Sequence, residues 1–539
     1  MNTAADRKSQ LYTLMALIVI SISFAITYTM VFDAKLDLNG DNAHYLTLAH
    51  HLSDGQGYTE ANSQGVLTPV NHFPPGYSFL LSLFMRLGIE SVVFFKILNG
   101  LFMLAGICLL GWLTGRQSGN PWVGWTAAAT LAASVPMLHF ASMVMSEMGY
   151  MLLSATCFVC AYKQSQTQTT WWRSPWFYGA ILSCAAAYYF RTVAMSLILA
   201  LIVFYLFRKE WKQAGATLLG IIVLNLPWIL RNKAAGLESR YFGTIMTVNP
   251  WRPESGSVQS VSDFIDKLIN NFDETVIKAF PDSLFPFFTP EYSAEHPSSL
   301  IAVLVSLLLL GVIFYGAWTL REQRWMMIAY LVGNIGLFAL WHGGNGIRYV
   351  VPLIPWIVCC FTAGVWGLLR LVWKTAPKPV VLALLIIPMT AGSGLKQQQA
   401  LAAQPYPPQY VDYFDIATQM QQHRSEHGKL VACRKPELFA MYAPDVHTAY
   451  YLYSDKPDEV IRDLTERRVD YVILDALGYS STALYLYPAI QKYPELFPVV
   501  LMYDRSHTYL LRFDAERAAQ VLAGTATPTA TPEPTADEP

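Results

Sequence analysis

An acidic polar segment, residues 33–75, directly follows the first apolar run of the chain and holds five acids against one lysine. Asp41, in the sequence LNGDNAHY, precedes apolar residues at helical spacing, so we expect an amphipathic helix with Asp41 near its start. A carboxylate at a membrane surface can accept a proton from the hydroxyl group of a lipid-borne substrate. Asp is equally favoured as a helix cap. The pattern therefore predicts a general base or a capping residue.

The acidic segment closes on HFPPGYS, residues 72–78. Its two prolines exclude a helix until Gly76 and fix how the chain enters the next apolar helix. His72 and Tyr77 flank the prolines and are candidate substrate-binding residues. The simpler interpretation of the motif is a turn that starts a helix.

Glu147, in MVMSEMGYM, lies at the predicted start of the fourth apolar run. An ionisable side chain within a membrane span requires a partner or a function. Glu147 is therefore a second candidate for the catalytic site. The alternative is an acid that is favoured at a helix N-terminus by the helix dipole.

Three arginines lie at ends of apolar runs on the same predicted side as the acidic segment: Arg191, Arg231 and Arg348. Arg suits bidentate binding of phosphate. His342 and Tyr349 flank the turn that carries Arg348 and could add hydrogen-bond donors. The competing interpretation is snorkelling to the interface or pairing with a nearby carboxylate.

Long apolar runs must position these residues, because the chain is 53% hydrophobic and only 14% charged. Such a composition excludes a single soluble domain. The sequence predicts an α-helical polytopic membrane protein of about eleven transmembrane helices, which occupies residues 1–395. The predicted spans are 11–32, 91–113, 121–140, 143–162, 176–190, 193–207, 213–230, 299–319, 325–341, 349–369 and 379–395.

The basic residues predict the orientation of these spans. Connectors on one side hold thirteen Lys and Arg against three acids. The N-terminus is therefore expected in the cytoplasm, and loops 33–75 and 231–298 on the extracytoplasmic side. Everything after about residue 396 is expected on that side too.

The C-terminal quarter has a different composition. Residues 396–410 form a Pro-containing linker, and 411–514 predict a small extracytoplasmic α/β domain with strands at KLVACR and VDYVILDAL and a hairpin around 504–507. Residues 523–539, rich in Thr, Pro and Ala, predict a disordered tail. Six of the seven cysteines lie in apolar runs, so a disulfide or metal framework is not indicated.

Together, GDNAHYLTLAHHLSDGQGY, HFPPGYSFLL, SEMGY, the interior Arg191 and the late IRYVVPLIP resemble the GT-C superfamily of polyprenyl-phosphate-sugar-dependent glycosyltransferases. The likeness is greatest to the branch of protein O-mannosyltransferases and aminoarabinose transferases. It covers about residues 1–395. The resemblance implies that Asp41 is the catalytic acid of the first loop. It further implies that Glu147 is the acid before the fourth span, and that Arg348 with Tyr349 shapes the lipid-phosphate pocket.

The sequence also departs from that family. Asn42 replaces a frequent Glu, and His72 with Phe73 replaces a Glu-Lys pair found in some members. Because that lysine is lost, the arginines at 191, 231 and 348 become the expected phosphate ligands.

The resulting hypothesis is a transferase that moves a sugar from a polyprenyl-phosphate donor to a hydroxyl group, with inversion at the anomeric carbon. The acceptor could be protein, lipid A or a glycan, and nucleic acid is not an expected partner. A divalent metal is compatible with this chemistry but not required. The alternative is a transporter or flippase of lipid-linked sugars. The expected location is the bacterial inner membrane.

Overall fold

The computed structural model describes residues 4–62, 66–238, 241–249, 252–285, 287–292, 296–341, 343, 346–373, 379–391, 394–422 and 429–523. The chain forms two compact units. The first comprises Met1–Asp37, Asn71–Val248 and Ser257–Gln404. The second comprises Leu38–Val70, Asn249–Gly256 and the residues from Pro405 onward. Most of the acidic loop thus groups with the C-terminal part of the chain, which the sequence did not predict.

The first unit is built from helices, because its apolar runs are too long for strands and satisfy their backbone groups internally. Among the described residues, five helices are long and apolar enough to cross a membrane: Leu11–Val31, Val92–Ser118, Trp211–Ala234, Leu300–Thr319 and Val351–Val372. The α-helices of this unit are Ala4–Val31, Gly76–Met85, Val92–Ser118, Pro121–Ala132, Val135–Ala141, Glu147–Gln166, Pro175–Phe190, Met195–Phe207, Trp211–Ala234, Tyr241–Met246, Val261–Phe272, Phe280–Leu284, Leu300–Thr319, Arg324–Leu340, Ile354–Val372, Pro379–Ala391 and Gly394–Ala403. Helices thus lie at every predicted span.

The span predicted as one helix over 121–140 is divided into two, Pro121–Ala132 and Val135–Ala141. Ser134 between them has an extended backbone, with φ −70° and ψ 113°. Pro136 contributes to the break, because a proline lacks the N–H that would continue the first helix. The segment 142–146 then leads to Glu147, which begins the next helix.

The second unit contains a five-stranded sheet. In the order across the sheet, the first three strands pair in parallel. The fourth strand pairs antiparallel with the third, and the fifth pairs antiparallel with the fourth. The strands across the sheet are His447–Ala449, Leu430–Ala432, Tyr471–Leu474, Thr508–Arg512 and Val499–Tyr503. The α-helices of this unit are Asp41–Ser53, Pro408–Gln422, Pro436–Tyr442, Pro457–Glu466, Tyr487–Lys492 and Ala515–Leu522, and a ribbon pairs Thr59–Ala61 with Leu67–Pro69. The segments KLVACR and VDYVILDAL both contain strands, and the hairpin turns at residues 504–507 as predicted.

Glycines allow two long helices of the first unit to pack closely. A methyl group on Gly316 would overlap the carbonyl oxygen of Cys360 and lie 2.7 Å from the backbone nitrogen of Gly364. Gly311, on the same helix, has open space around the corresponding position. The helix Leu300–Thr319 therefore approaches Ile354–Val372 through Gly316 and not through Gly311.

We expect Gly316→Ala to lower the thermal stability of the protein in detergent, since the two helices must separate to admit the methyl group. The matched change Gly311→Ala should leave the midpoint unchanged or raise it slightly, because Ala favours a helix by about 1 kcal/mol. Equal midpoints for the two variants, measured by a thiol-reactive or static-light-scattering melt, would contradict this packing.

Candidate active site

Asp41 is the first residue of the helix Asp41–Ser53. The residue at the N-cap position of this helix is Gly40, with φ 103°, and its backbone amide donates to Asn42 Oδ1 at 3.2 Å. The capping interpretation of Asp41 is therefore corrected. Its half-buried carboxylate lies in the first turn, where the helix dipole favours a negative charge.

The same helix is held to the short ribbon of the second unit by His44. The distance from His44 Nδ1 to Glu60 Oε1 is 2.8 Å. Burial alone would lower the pKa of His44, but the hydrogen bond and charge of Glu60, with the charges of Glu437 and Asp41, raise the pKa above its ordinary value. The charge of Asp41 therefore acts on the His44 imidazole.

In the first unit, Glu147 and Arg191 form an ion pair. Arg191 Nη1 donates to Glu147 Oε1 at 2.6 Å and to Ser146 Oγ at 3.2 Å. The Glu147 side chain is fully buried, whereas that of Arg191 is 18% exposed. Glu147 Oε2 is buried and accepts no hydrogen bond from the described residues. The pair joins the start of one helix to the end of the next, and it leaves one carboxylate oxygen available.

Tyr77, in the motif HFPPGYS, is linked by the buried Asn99 to the segment just before Glu147. Asn99 Nδ2 donates to the Tyr77 hydroxyl oxygen at 2.9 Å and to the carbonyl oxygens of Met143 and Met145 at 2.7 and 3.0 Å. The Tyr77 ring also contacts Phe190, with centroids 6.0 Å apart. The structure thus brings the segments around Tyr77, Glu147 and Arg191 together.

Lys96 is a further buried polar residue that the sequence analysis missed. It lies 1% exposed in the first turns of the helix Val92–Ser118. Its ammonium group donates to the carbonyl oxygen of Asp33 at 2.7 Å and to that of Lys35. A lone lysine in an apolar run gives no periodic signal, so only the contacts identify it as the residue that fixes the start of the acidic loop.

The other two candidate arginines are Arg231 and Arg348. Arg231 stacks on Trp228 at 4.9 Å and donates to Asn232 Oδ1 at 2.9 Å. Arg348 lies on the turn Gly346–Tyr349. Within that turn Tyr349 accepts a hydrogen bond from Trp341 Nε1 at 2.9 Å.

Glu274, also missed by the sequence analysis, fixes the same turn, because its Oε1 accepts from the Gly346 amide at 2.9 Å. Glu274 belongs to a π-helical segment, Asp273–Ala279, a type of irregularity that often occurs at functional sites. His72 packs edge-to-face on Phe73 at 4.8 Å. His342 lies outside the described residues.

A cavity of about 200 Å³ lies in the first unit beside the break at residue 134. Thr130 Oγ1 and Ser134 Oγ are buried there without a hydrogen-bond partner in the described part of the chain. Its other polar lining residues are Asp282, Ser283, Thr289, Gln397 and Gln398. None of the predicted site residues lines this cavity.

Comparison with solved structures gives the fold. ArnT from Cupriavidus metallidurans, bound to undecaprenyl phosphate, matches with a TM-score of 0.55 and 14% identity over 92% of this chain and 97% of that protein. The oligosaccharyltransferase AglB from Archaeoglobus fulgidus, in complex with an inhibitory peptide and a dolichol-phosphate, matches with a TM-score of 0.58 and 12% identity over 93% of this chain and 74% of that one. This chain shares the fold of these two proteins. No family model and no curated protein matches its sequence.

The resemblance inferred from the motifs is thereby confirmed at the level of the fold. With its apolar helices and its membrane-protein neighbours, the chain is an integral membrane protein. At 10–14% identity the likeness is one of backbone arrangement, and the chemistry depends on the side chains of this chain.

We expect Arg191→Leu to lower thermal stability strongly, because it leaves the buried Glu147 carboxylate without its cation, a change that costs about 3–5 kcal/mol in proteins. The double variant Glu147→Leu with Arg191→Leu should recover much of the loss, since neither charge is then buried alone. Melting curves of the purified proteins in one detergent measure this, with Arg231→Leu as a control. A double variant less stable than Arg191→Leu would contradict the pairing.

Proposed function

We propose that this chain is a membrane glycosyltransferase that moves a sugar from a polyprenyl-phosphate donor to a hydroxyl group on the extracytoplasmic side of the inner membrane. The observation that carries the proposal is Asp41, a half-buried acid in the first turn of a helix whose N-cap residue is Gly40, in a chain with the GT-C fold. Two neighbours with this fold were solved with undecaprenyl phosphate and with a dolichol-phosphate. A lipid-phosphate donor is consistent with both.

The proposed topology has eleven spans, a cytoplasmic N-terminus and an extracytoplasmic C-terminal α/β domain. The charge bias of the connectors supports it, because Lys and Arg accumulate on the cytoplasmic side of membrane proteins. The loop with Asp41 and the start of the helix with Glu147 then belong to the same side. The substrate sugar would be presented there.

The proposed reaction is one displacement at the anomeric carbon. The acceptor oxygen forms a bond to that carbon while its proton passes to the Asp41 carboxylate. The bond from the anomeric carbon to the phosphate oxygen breaks, and the electron pair leaves with the polyprenyl phosphate. The products are the glycosylated acceptor with inverted configuration and the free lipid phosphate.

The remaining polar residues receive supporting roles. Arg231, Arg348, Tyr349, His342 and His72 would bind the lipid phosphate and neutralise the charge that develops as it leaves. Arg191 already pairs with Glu147 and therefore holds that carboxylate in place. Tyr77 would help to shape the same region, and Glu147 would orient the acceptor through its second oxygen. No step requires a metal ion.

The test is transfer from radiolabelled polyprenyl-phosphate sugars to candidate acceptors by purified protein in detergent. We expect Asp41→Asn to lower the rate by about 10²–10⁴-fold, the usual contribution of a general base. Asp54→Asn is the matched control, because Asp54 is an exposed acid at the other end of the same helix. It should transfer at the wild-type rate.

Equal transfer by wild type and Asp41→Asn would remove Asp41 as the base. Reconstituted vesicles distinguish the alternative function. If labelled donor crosses the bilayer while a panel of protein, lipid A and glycan acceptors acquires no glycosidic bond, the chain is a flippase.

A further inference from the structure

The helix Pro436–Tyr442 of the second unit packs against the start of the helix that carries Asp41. Two charged residues at the beginning of this helix, Lys435 and Glu437, contact the backbone just before Asp41. Lys435 Nζ donates to the carbonyl oxygen of Asn39. The Glu437 carboxylate lies so close to Gly40 that a methyl group on that glycine would overlap it.

Lys435 and Glu437 are both buried, at 7% and 8% exposure, and form an ion pair at 3.6 Å. Burying two charges costs free energy unless each is paired and hydrogen-bonded. Here the cation serves a backbone carbonyl two residues before Asp41, and the anion contacts the residue immediately before it. Both members of the pair therefore contact the backbone segment that positions Asp41.

Tyrosines fix the pair in turn. The Tyr450 hydroxyl donates to Glu437 Oε2 at 2.8 Å, and the Tyr413 hydroxyl donates to the carbonyl oxygen of Lys435 at 3.0 Å. The Lys435 ammonium group also lies 4.8 Å from the centre of the Tyr479 ring, within cation–π range. The negative charge of Glu437 reaches the Asp41 helix itself, because it helps to raise the pKa of His44.

We propose that Lys435 and Glu437 are positioning residues for Asp41, and that the C-terminal part of the chain thereby belongs to the catalytic machinery. The inference rests on the proposed function, since it assigns to these residues the placement of the proposed base. A displacement of about 1 Å in a reacting group can cost about 10²-fold in rate. The pair acts through the backbone of Asn39 and Gly40 and does not touch the reacting atoms.

The experiment uses the full-length protein in detergent with two readouts. Hydrogen exchange of a peptide covering residues 38–46 follows the first turn, in which the Ala43 and His44 amides donate to the Gly40 carbonyl oxygen. A peptide covering 457–474 reports the folding of the sheet region. The second readout is kcat with the labelled donor, beside binding of undecaprenyl phosphate alone.

We expect Lys435→Met to speed exchange in 38–46 at least several-fold, to leave 457–474 unchanged, and to lower kcat about 10- to 100-fold. Undecaprenyl phosphate should bind as in the wild type. Lys435→Arg should restore part of kcat, because its guanidinium can still donate to the carbonyl. Lys492→Met is the control, since that lysine is half-exposed and pairs with Asp458 elsewhere on the same unit. It should change neither readout.

Wild-type exchange in 38–46 for Lys435→Met would overturn the inference. Should Lys435→Met also speed exchange in 457–474, Glu437→Gln takes its place, because it keeps the shape of the side chain and removes only the charge. Faster exchange in 38–46 together with full activity of Asp41→Asn would refute the proposed base while the positioning contact stands. Faster exchange with unchanged kcat in an Asp41-dependent enzyme would refute the positioning role alone.

Discussion

A fully buried carboxylate in an apolar helical bundle is the constraint on which the first unit depends. A buried carboxylate costs free energy unless it is paired, and Arg191 Nη1 lies 2.6 Å from Glu147 Oε1. The pair fixes the start of the helix Glu147–Gln166 against the end of Pro175–Phe190. Asn99 extends this order to the proline motif by donating to Tyr77. Three motifs that are far apart in the sequence thus share one buried polar region.

The helical architecture could be predicted from the sequence because it follows from the length of the apolar runs alone. The break at Ser134 was missed, although Pro136 gives a local reason for it. The grouping of residues 38–70 with the C-terminal part had no sequence signal at all. It depends on side chains such as Lys435, whose bond to Asn39 spans 396 positions. Periodicity records which face of an element is apolar and carries no information on a partner so distant.

Some residues of the candidate site could likewise be predicted from the sequence, and others could not. Asp41, Glu147 and Arg191 were identifiable because each is a charge at the edge of an apolar run, where charge is costly. Lys96, Asn99 and Glu274 were not, because a single polar residue within a helix looks the same whether it faces water or a buried carbonyl. Their roles follow only from what they contact: two loop carbonyls, a tyrosine hydroxyl and a backbone amide.

Glu147 and Asp41 have different surroundings, and their proposed roles follow from this difference. Glu147 is fully buried and paired with Arg191 at 2.6 Å, so this carboxylate is suited to holding a geometry. Asp41 is half-buried in the first turn of the helix Asp41–Ser53, at the positive end of the helix dipole. In the proposed reaction this partly exposed carboxylate takes the proton of the acceptor and releases it to water after each turnover. A base must do both, and we therefore propose the partly exposed Asp41 for this role and not the fully buried Glu147.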